Sequence, residues 1–187
     1  RCSLMKKIII IILILFPNSF AFCSIKENII KNLISTQNLI FNFEQNINGK
    51  IETGNCIIEY PKKIACNYHL NNKKKLVSNG KTLVIKTDSG SYYRYPIQKT
   101  PLDYILDKNF LIKKIENMKE RIIDNKYVNF TIFKDENEIN IFFDIKSFNL
   151  IGWQTLDVYQ NLNITYLSSL EKNKILKKNI FKLPSIN

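Results

Sequence analysis

The sequence predicts a mainly β protein, a curved antiparallel sheet or barrel of about ten strands carrying a helical cover. Three observations point there. Beyond residue 38, apolar and polar side chains alternate with the period of half-buried strands. Turn signals such as Asn79-Gly80 and Asp88-Ser89-Gly90 punctuate that alternation. Helical spacing is confined to two places, near residues 24–37 and 100–106. The 187 residues are 45% hydrophobic and 24% charged, a composition that suits one domain with a sizeable core.

The chain opens on Met5-Lys6-Lys7, an unbroken apolar run from Ile8 to Phe16, and then Pro17 to Ser24. This is the form of a secretory signal peptide. The run falls short of the roughly 20 residues that a membrane-spanning helix needs. Met5 is read as the initiator, with residues 1–4 upstream of it. Ala21 and Cys23 fit the small positions before a cut at Ser24, so residues 1–23 are the signal and 24–187 the exported domain. Lipidation at Cys23 is the rival reading, and the bulky Phe22 before it argues against that.

Helical spacing of Ile25, Ile29, Ile30, Leu33 and Ile34 predicts an amphipathic helix over 24–37. Strands follow at Leu39–Glu44, Thr53–Tyr60, Ile64–Leu70, Lys75–Ser78, Leu83–Thr87 and Ser91–Tyr95. Thr100-Pro101-Leu102-Asp103 reads as a capped start for one short inserted helix, Leu102 to Leu106, with Thr100 as cap and Asp103 reaching back. Strands resume near Ile115–Ile123, Tyr127–Lys134, Glu138–Asp144, Leu150–Tyr159 and Leu162–Leu170.

Several function classes fall away. One histidine, His69, excludes two-histidine metal sites, and five glycines include no phosphate-cradling motif. No spacing gathers an acid, base or nucleophile, so neither an enzyme nor a cofactor is expected. The net charge of +12 invites a nucleic-acid partner, yet Arg1, Arg94 and Arg121 are the only arginines. Lysine excess beside abundant Ile and Asn reads instead as compositional bias on a solvated surface, and no nucleic acid is expected. Removing residues 1–23 takes away Arg1, Lys6 and Lys7 and no acid, leaving +9.

Cleavage also leaves only Cys56 and Cys66. Folding the chain at Pro61 pairs Ile58 with Ile64 and Cys56 with Cys66, within reach of a disulfide in an oxidising compartment. Two separate buried thiols are the alternative.

Five short motifs stand in order along nearly all of the exported domain: Phe43-Glu44-Gln45, then Gly54 running into Tyr60-Pro61 and Ile64–Tyr68, then Leu76-Val77-Ser78-Asn79-Gly80-Lys81-Thr82-Leu83, Thr100-Pro101 and Phe181-Lys182-Leu183-Pro184. In these the chain resembles the bacterial outer-membrane lipoprotein carrier proteins (LolA-like). The first matches their F-x-Q, and the second resembles their G-x-L-x-x-x-R-P segment and the strand after it.

The resemblance implies an open antiparallel half-barrel of ten or eleven strands with short helices as a lid over a hydrophobic cavity. It implies a monomeric periplasmic shuttle for lipoprotein acyl chains, running from an inner-membrane ABC transporter complex to an outer-membrane receptor. A membrane-anchored receptor of the related LolB type, or a periplasmic lipid-binding module of other purpose, is the alternative.

On that reading Phe41, Phe43, Ile58 and Ile64 line the acyl-chain cavity. Ile29, Leu33, Leu102, Ile105 and Leu106 form the lid. Pattern alone leaves Phe41 and Phe43 open between ordinary core and cavity; the resemblance favours the cavity for Phe43. Tyr60 stands where the family has an arginine that tethers the lid. Cys66 and Val84 stand where it has tryptophans.

Overall fold

The computed structural model describes residues 24–69, 73–134, 137–156 and 161–186. The signal-peptide reading of residues 1–23, Cys23 included, lies outside them, as do Leu70 and residues 157–159 at two expected strand ends. Among the described residues eleven strands form one open antiparallel sheet, covered by three short helices.

Helix α1 spans Ile25–Ser35, and Ser24 caps it in a complete capping box with Glu27. Six strands then run outward as a meander: β1 (Asn38–Ile47), β2 (Lys50–Glu59), β3 (Lys63–Tyr68), β4 (Lys75–Asn79), β5 (Thr82–Lys86) and β6 (Tyr92–Pro96). A 3₁₀ turn at Ile97–Lys99, helix α2 (Leu102–Ile105) and helix α3 (Lys108–Glu116) lead to the opposite edge. A second meander returns from there: β7 (Arg121–Ile123), β8 (Tyr127–Lys134), β9 (Asn137–Asp144), β10 (Leu150–Leu156) and β11 (Leu162–Lys172).

The order is β6-β5-β4-β3-β2-β1-β11-β10-β9-β8-β7, so pairing of β1 with β11 joins the two meanders at the centre. Among the described residues the edges β6 and β7 do not pair, and the helical connection between them packs on the inner face. Register shifts in β1 at Ile40/Asn42 and in β10 at Leu150/Gly152 mark bulges, which bend a strand locally.

Strand alternation divides the sheet cleanly. Leu39, Phe41 and Phe43 of β1 are buried on the inner face, where they join Ile29, Leu33, Ile105, Leu106, Leu111 and Ile115 of the helices in one core. On the outer face Ile40, Ile57, Ala65 and Val77 form a cross-strand row. The C-terminal segment 173–186 borders this row as an irregular strap. It is held by Lys86 Nζ to the Ser185 carbonyl (2.9 Å) and by the Tyr92 hydroxyl to the Pro184 carbonyl (3.2 Å).

The structure corrects the sequence reading at three points. Ile115 lies in α3, not in a strand: Asp107 caps that helix by accepting from the Phe110 amide (3.0 Å), and only Arg121–Ile123 pair as β7. The inserted helices are therefore two. Leu111 and Ile115, both fully buried at i, i+4, were the overlooked helical signal. Thr100 does not cap α2; its hydroxyl donates back to the Ile97 carbonyl (2.8 Å), and Asp103 faces Lys62 instead. Finally, β2 begins at Lys50, because Asn48 and Gly49 both have positive φ (53° and 88°) and close a two-residue hairpin.

Candidate functional site

A cavity of about 220 Å³ lies between the inner face and α2. Its apolar part is built from Phe43, Ile64, Leu83, Ile85, Leu102 and Ile105 with the Cys56–Cys66 pair. The opposite end, away from the helices, is polar: Gln45 of β1, Thr155 of β10, and Asn163 and Thr165 of β11. Trp153 forms part of the same wall. The volume is below the ~300–1,000 Å³ of typical small-ligand pockets, so a long ligand needs the helices to move outward.

Phe43 owes its position to a missing side chain. It sits opposite Gly54 on β2, where an added Cβ would fall 2.6 Å from Phe43 Cε1 and 2.2 Å from the Asn67 carbonyl oxygen. The ring therefore lies across bare backbone and meets Tyr68 of β3 edge-on, with centroids 4.8 Å apart. Next to it Cys56 and Cys66 are directly opposed on β2 and β3 and joined by a disulfide, with Cα atoms 4.1 Å apart. Burial first, then the Glu52 carboxylate, pushes the Tyr68 phenol well above its ordinary pKa. It stays protonated and donates to Gln45 Oε1 (3.2 Å).

Two sets of contacts hold the helices down. Helices α1 and α3 cap each other reciprocally with lysines. Lys26 of α1 donates to the carbonyls of Glu116 (3.3 Å) and Met118 (3.2 Å) at the end of α3, and Lys108 of α3 donates to those of Ile34 (3.2 Å) and Thr36 (2.8 Å) at the end of α1. Each ammonium meets terminal carbonyls that have no partner within their own helix, the end at which a positive charge is favourable.

The second set runs from the β2–β3 turn to α2. Lys62 donates its backbone N–H to the Leu106 carbonyl (2.8 Å), while its ammonium lies 2.9 Å from Asp103 Oδ1 and 3.4 Å from Asp107 Oδ2. The Ser78 hydroxyl donates to the Lys62 carbonyl (2.8 Å) and fixes the turn from below. The hydrogen bond to Asp103 chiefly, with both carboxylate charges assisting, raises the Lys62 pKa above its ordinary value.

Of the residues singled out from sequence, Phe43, Ile64, Leu102 and Ile105 border the cavity together with Cys56 and Cys66. Phe41, Ile58, Ile29, Leu33 and Leu106 are buried in the adjoining core, sealed between helices and sheet. Tyr60 also reaches the helices, but its buried hydroxyl meets no hydrogen-bond partner among the described residues, and burial pushes its pKa up. The ion pair to α2 comes two residues later, from Lys62. Sequence reading missed Lys62, Tyr68, Trp153 and the polar end. Lys62 carried no signal, since its use depends on where α2 lands. Among the described residues no group of three or more His, Cys, Asp or Glu is placed to hold a metal.

The site is therefore a cavity, apolar at one end and polar at the other, between an open sheet and a helical cover. The profile of the family "Outer membrane lipoprotein carrier protein LolA" matches residues 35–184, and the chain belongs to that family. Solved structures are similar to the chain at low identity. An uncharacterized conserved protein from Thermus thermophilus is 6% identical, with 86% of this chain and 92% of that chain covered and a TM-score of 0.52. MucB is 11% identical with a TM-score of 0.50, covering 90% of this chain and 65% of its own. A LolA superfamily protein from Nitrosomonas europaea is 9% identical, with coverages of 86% and 96% and a TM-score of 0.49. Comparison with curated proteins finds no match.

Proposed function

We propose that the protein is a periplasmic carrier that holds lipoprotein acyl chains in its cavity. It would take them from an inner-membrane ABC transporter complex and pass them to an outer-membrane receptor. The observation that carries this reading is the apolar cavity between Phe43 and Ile105 in a chain of the lipoprotein-carrier family. Each CH₂ of an acyl chain brought out of water contributes about 0.8 kcal/mol, so a long chain in transit needs an apolar enclosure more than polar contacts. Outward movement of the helices would add the surface of Phe41 and Ile58 to the cavity floor.

The test is Ile105→Glu. Ile105 is 1% exposed, and a carboxylate there must be desolvated or protonated. The exported variant should keep its circular dichroism and lose capture of a fluorescent acyl probe and of lipoprotein. Undiminished capture would place the acyl site elsewhere. Intact mass separates carrier from anchored receptor: residues 24–187 without lipid fit the carrier, whereas acylated Cys23 fits the receptor.

A further inference from the structure

The polar end of the cavity has a defined donor pattern. Gln45 of β1, Thr165 of β11 and Trp153 of β10 lie in one cross-strand row, and Asn163 and Thr155 face each other in the next. Gln45 fixes the polarity of this group. Its Oε1 accepts from Tyr68, while its Nε2 donates to Asn163 Oδ1 (3.0 Å) and Thr165 Oγ1 (3.3 Å).

An amide nitrogen carries two donors, and both are used. Asn163 therefore spends its acceptor on Gln45 and has its NH₂ left over. The Thr165 hydroxyl accepts from Gln45 and has its proton left over. Among the described residues neither donor has a partner, and the Thr155 hydroxyl beside them has none either. Thr155 and Thr165 are 6% and 3% exposed, and both line the cavity, so their hydroxyls open on it and not on the outer surface.

We propose that this end of the cavity is a subsite for ester carbonyls, which only accept hydrogen bonds. A ligand with ester-linked chains on a glyceryl unit would place its hydrocarbon beside Phe43 and Ile105 and its ester oxygens on Asn163, Thr165 and Thr155. The subsite gives an apolar cavity a register, by stopping the ligand where its chains meet the polar neck. This rests on the acyl-carrier reading and adds the linkage chemistry to it. Ester-linked glyceryl units occur in acylated peptides and in phospholipids, and the shared ester neck is what the subsite reads.

The test is direct binding of matched diacylglyceryl-cysteine lipopeptides, one with ester-linked and one with ether-linked chains. The unaltered protein should bind the ester form about tenfold more tightly, the scale of one or two hydrogen bonds. Thr165→Val and Gln45→Leu should bring that preference close to unity. Equal binding of ester and ether forms by the unaltered protein overturns the subsite, while binding of neither overturns the carrier reading instead. A phosphatidylglycerol ester–ether pair run alongside distinguishes the source. A stronger ester preference there keeps the subsite and assigns it to phospholipid.

Discussion

Neutralising Lys62 is the perturbation that tests the proposed opening of the helical cover separately from folding. Lys62→Met keeps the aliphatic stem, the backbone bond to Leu106 and the turn, and removes only the charge between Asp103 and Asp107. A fully exposed pair is worth about 0–1 kcal/mol, and breaking a fully buried one costs about 3–5 kcal/mol. The side chains here are 27% exposed for Lys62 and 12% for Asp103, so solvent screens part of the interaction. About 1–2 kcal/mol is the reasonable range, which is a ~5- to 30-fold shift in the opening equilibrium.

Amide hydrogen exchange reads that shift directly. Amides of α2 and α3 should exchange ~5- to 30-fold faster in Lys62→Met, with the central strands β1 and β2 unaffected, and acyl-probe uptake should accelerate in parallel. Unchanged exchange in α2 and α3 would refute the latch. Uniform acceleration through the sheet would show that Lys62 supports the whole fold and not the cover. The sign with pH is also fixed. Because the folded lysine pKa is raised, its contribution is complete below the ordinary lysine value of about 10.4 and is lost only as pH climbs through the raised one. Deprotonation of Lys62 therefore plays no part in opening near neutrality.

Tyr60→Phe removes a buried hydroxyl that has no partner among the described residues, so stability should hold or rise by up to about 1 kcal/mol in a denaturant titration. A loss of that size would reveal a bond the hydroxyl makes in solution. Replacing Cys56 and Cys66 by alanines, which opens a link of sequence separation 10, should cost roughly 2–3 kcal/mol by loop entropy. Two alkylatable thiols in denatured, unreduced protein would show that the bridge does not form. Asp144 accepts from the Ser147 amide (2.6 Å) and hydroxyl (2.7 Å), which hold its carboxyl below the usual range. Its contribution is present above the unfolded value of about 3.9 and is lost as pH falls through the lowered one, so Ser147→Ala should flatten the acid limb of a stability–pH profile.

Much of this architecture was legible because it rests on local periodicity. The alternation of Leu39, Phe41 and Phe43 fixes which face of β1 is buried, whatever that face packs against. The pairing of Cys56 with Cys66 followed from a turn at Pro61, since antiparallel register is set by the residues that close the hairpin. Helix α1 announced itself by a polar face opposite Ile29 and Leu33. Local pattern leaves helix α3 unassigned but for its end, where it puts Ile115 in a strand; the Asp107 cap and the burial of Leu111 and Ile115 resolve it.

Other features belong to no local segment. The meeting of β1 with β11 brings residues more than a hundred positions apart into register, and that pairing alone creates the polar end from Gln45, Asn163 and Thr165. The latch likewise joins a turn lysine to carboxylates some forty residues later, and the same turn leaves Tyr60 buried without a partner among the described residues. Periodicity tells a side chain which way to face, because that is decided by its neighbours along the backbone. Which group it will then meet is decided by long-range strand pairing and helix docking, and only the folded chain supplies those distances.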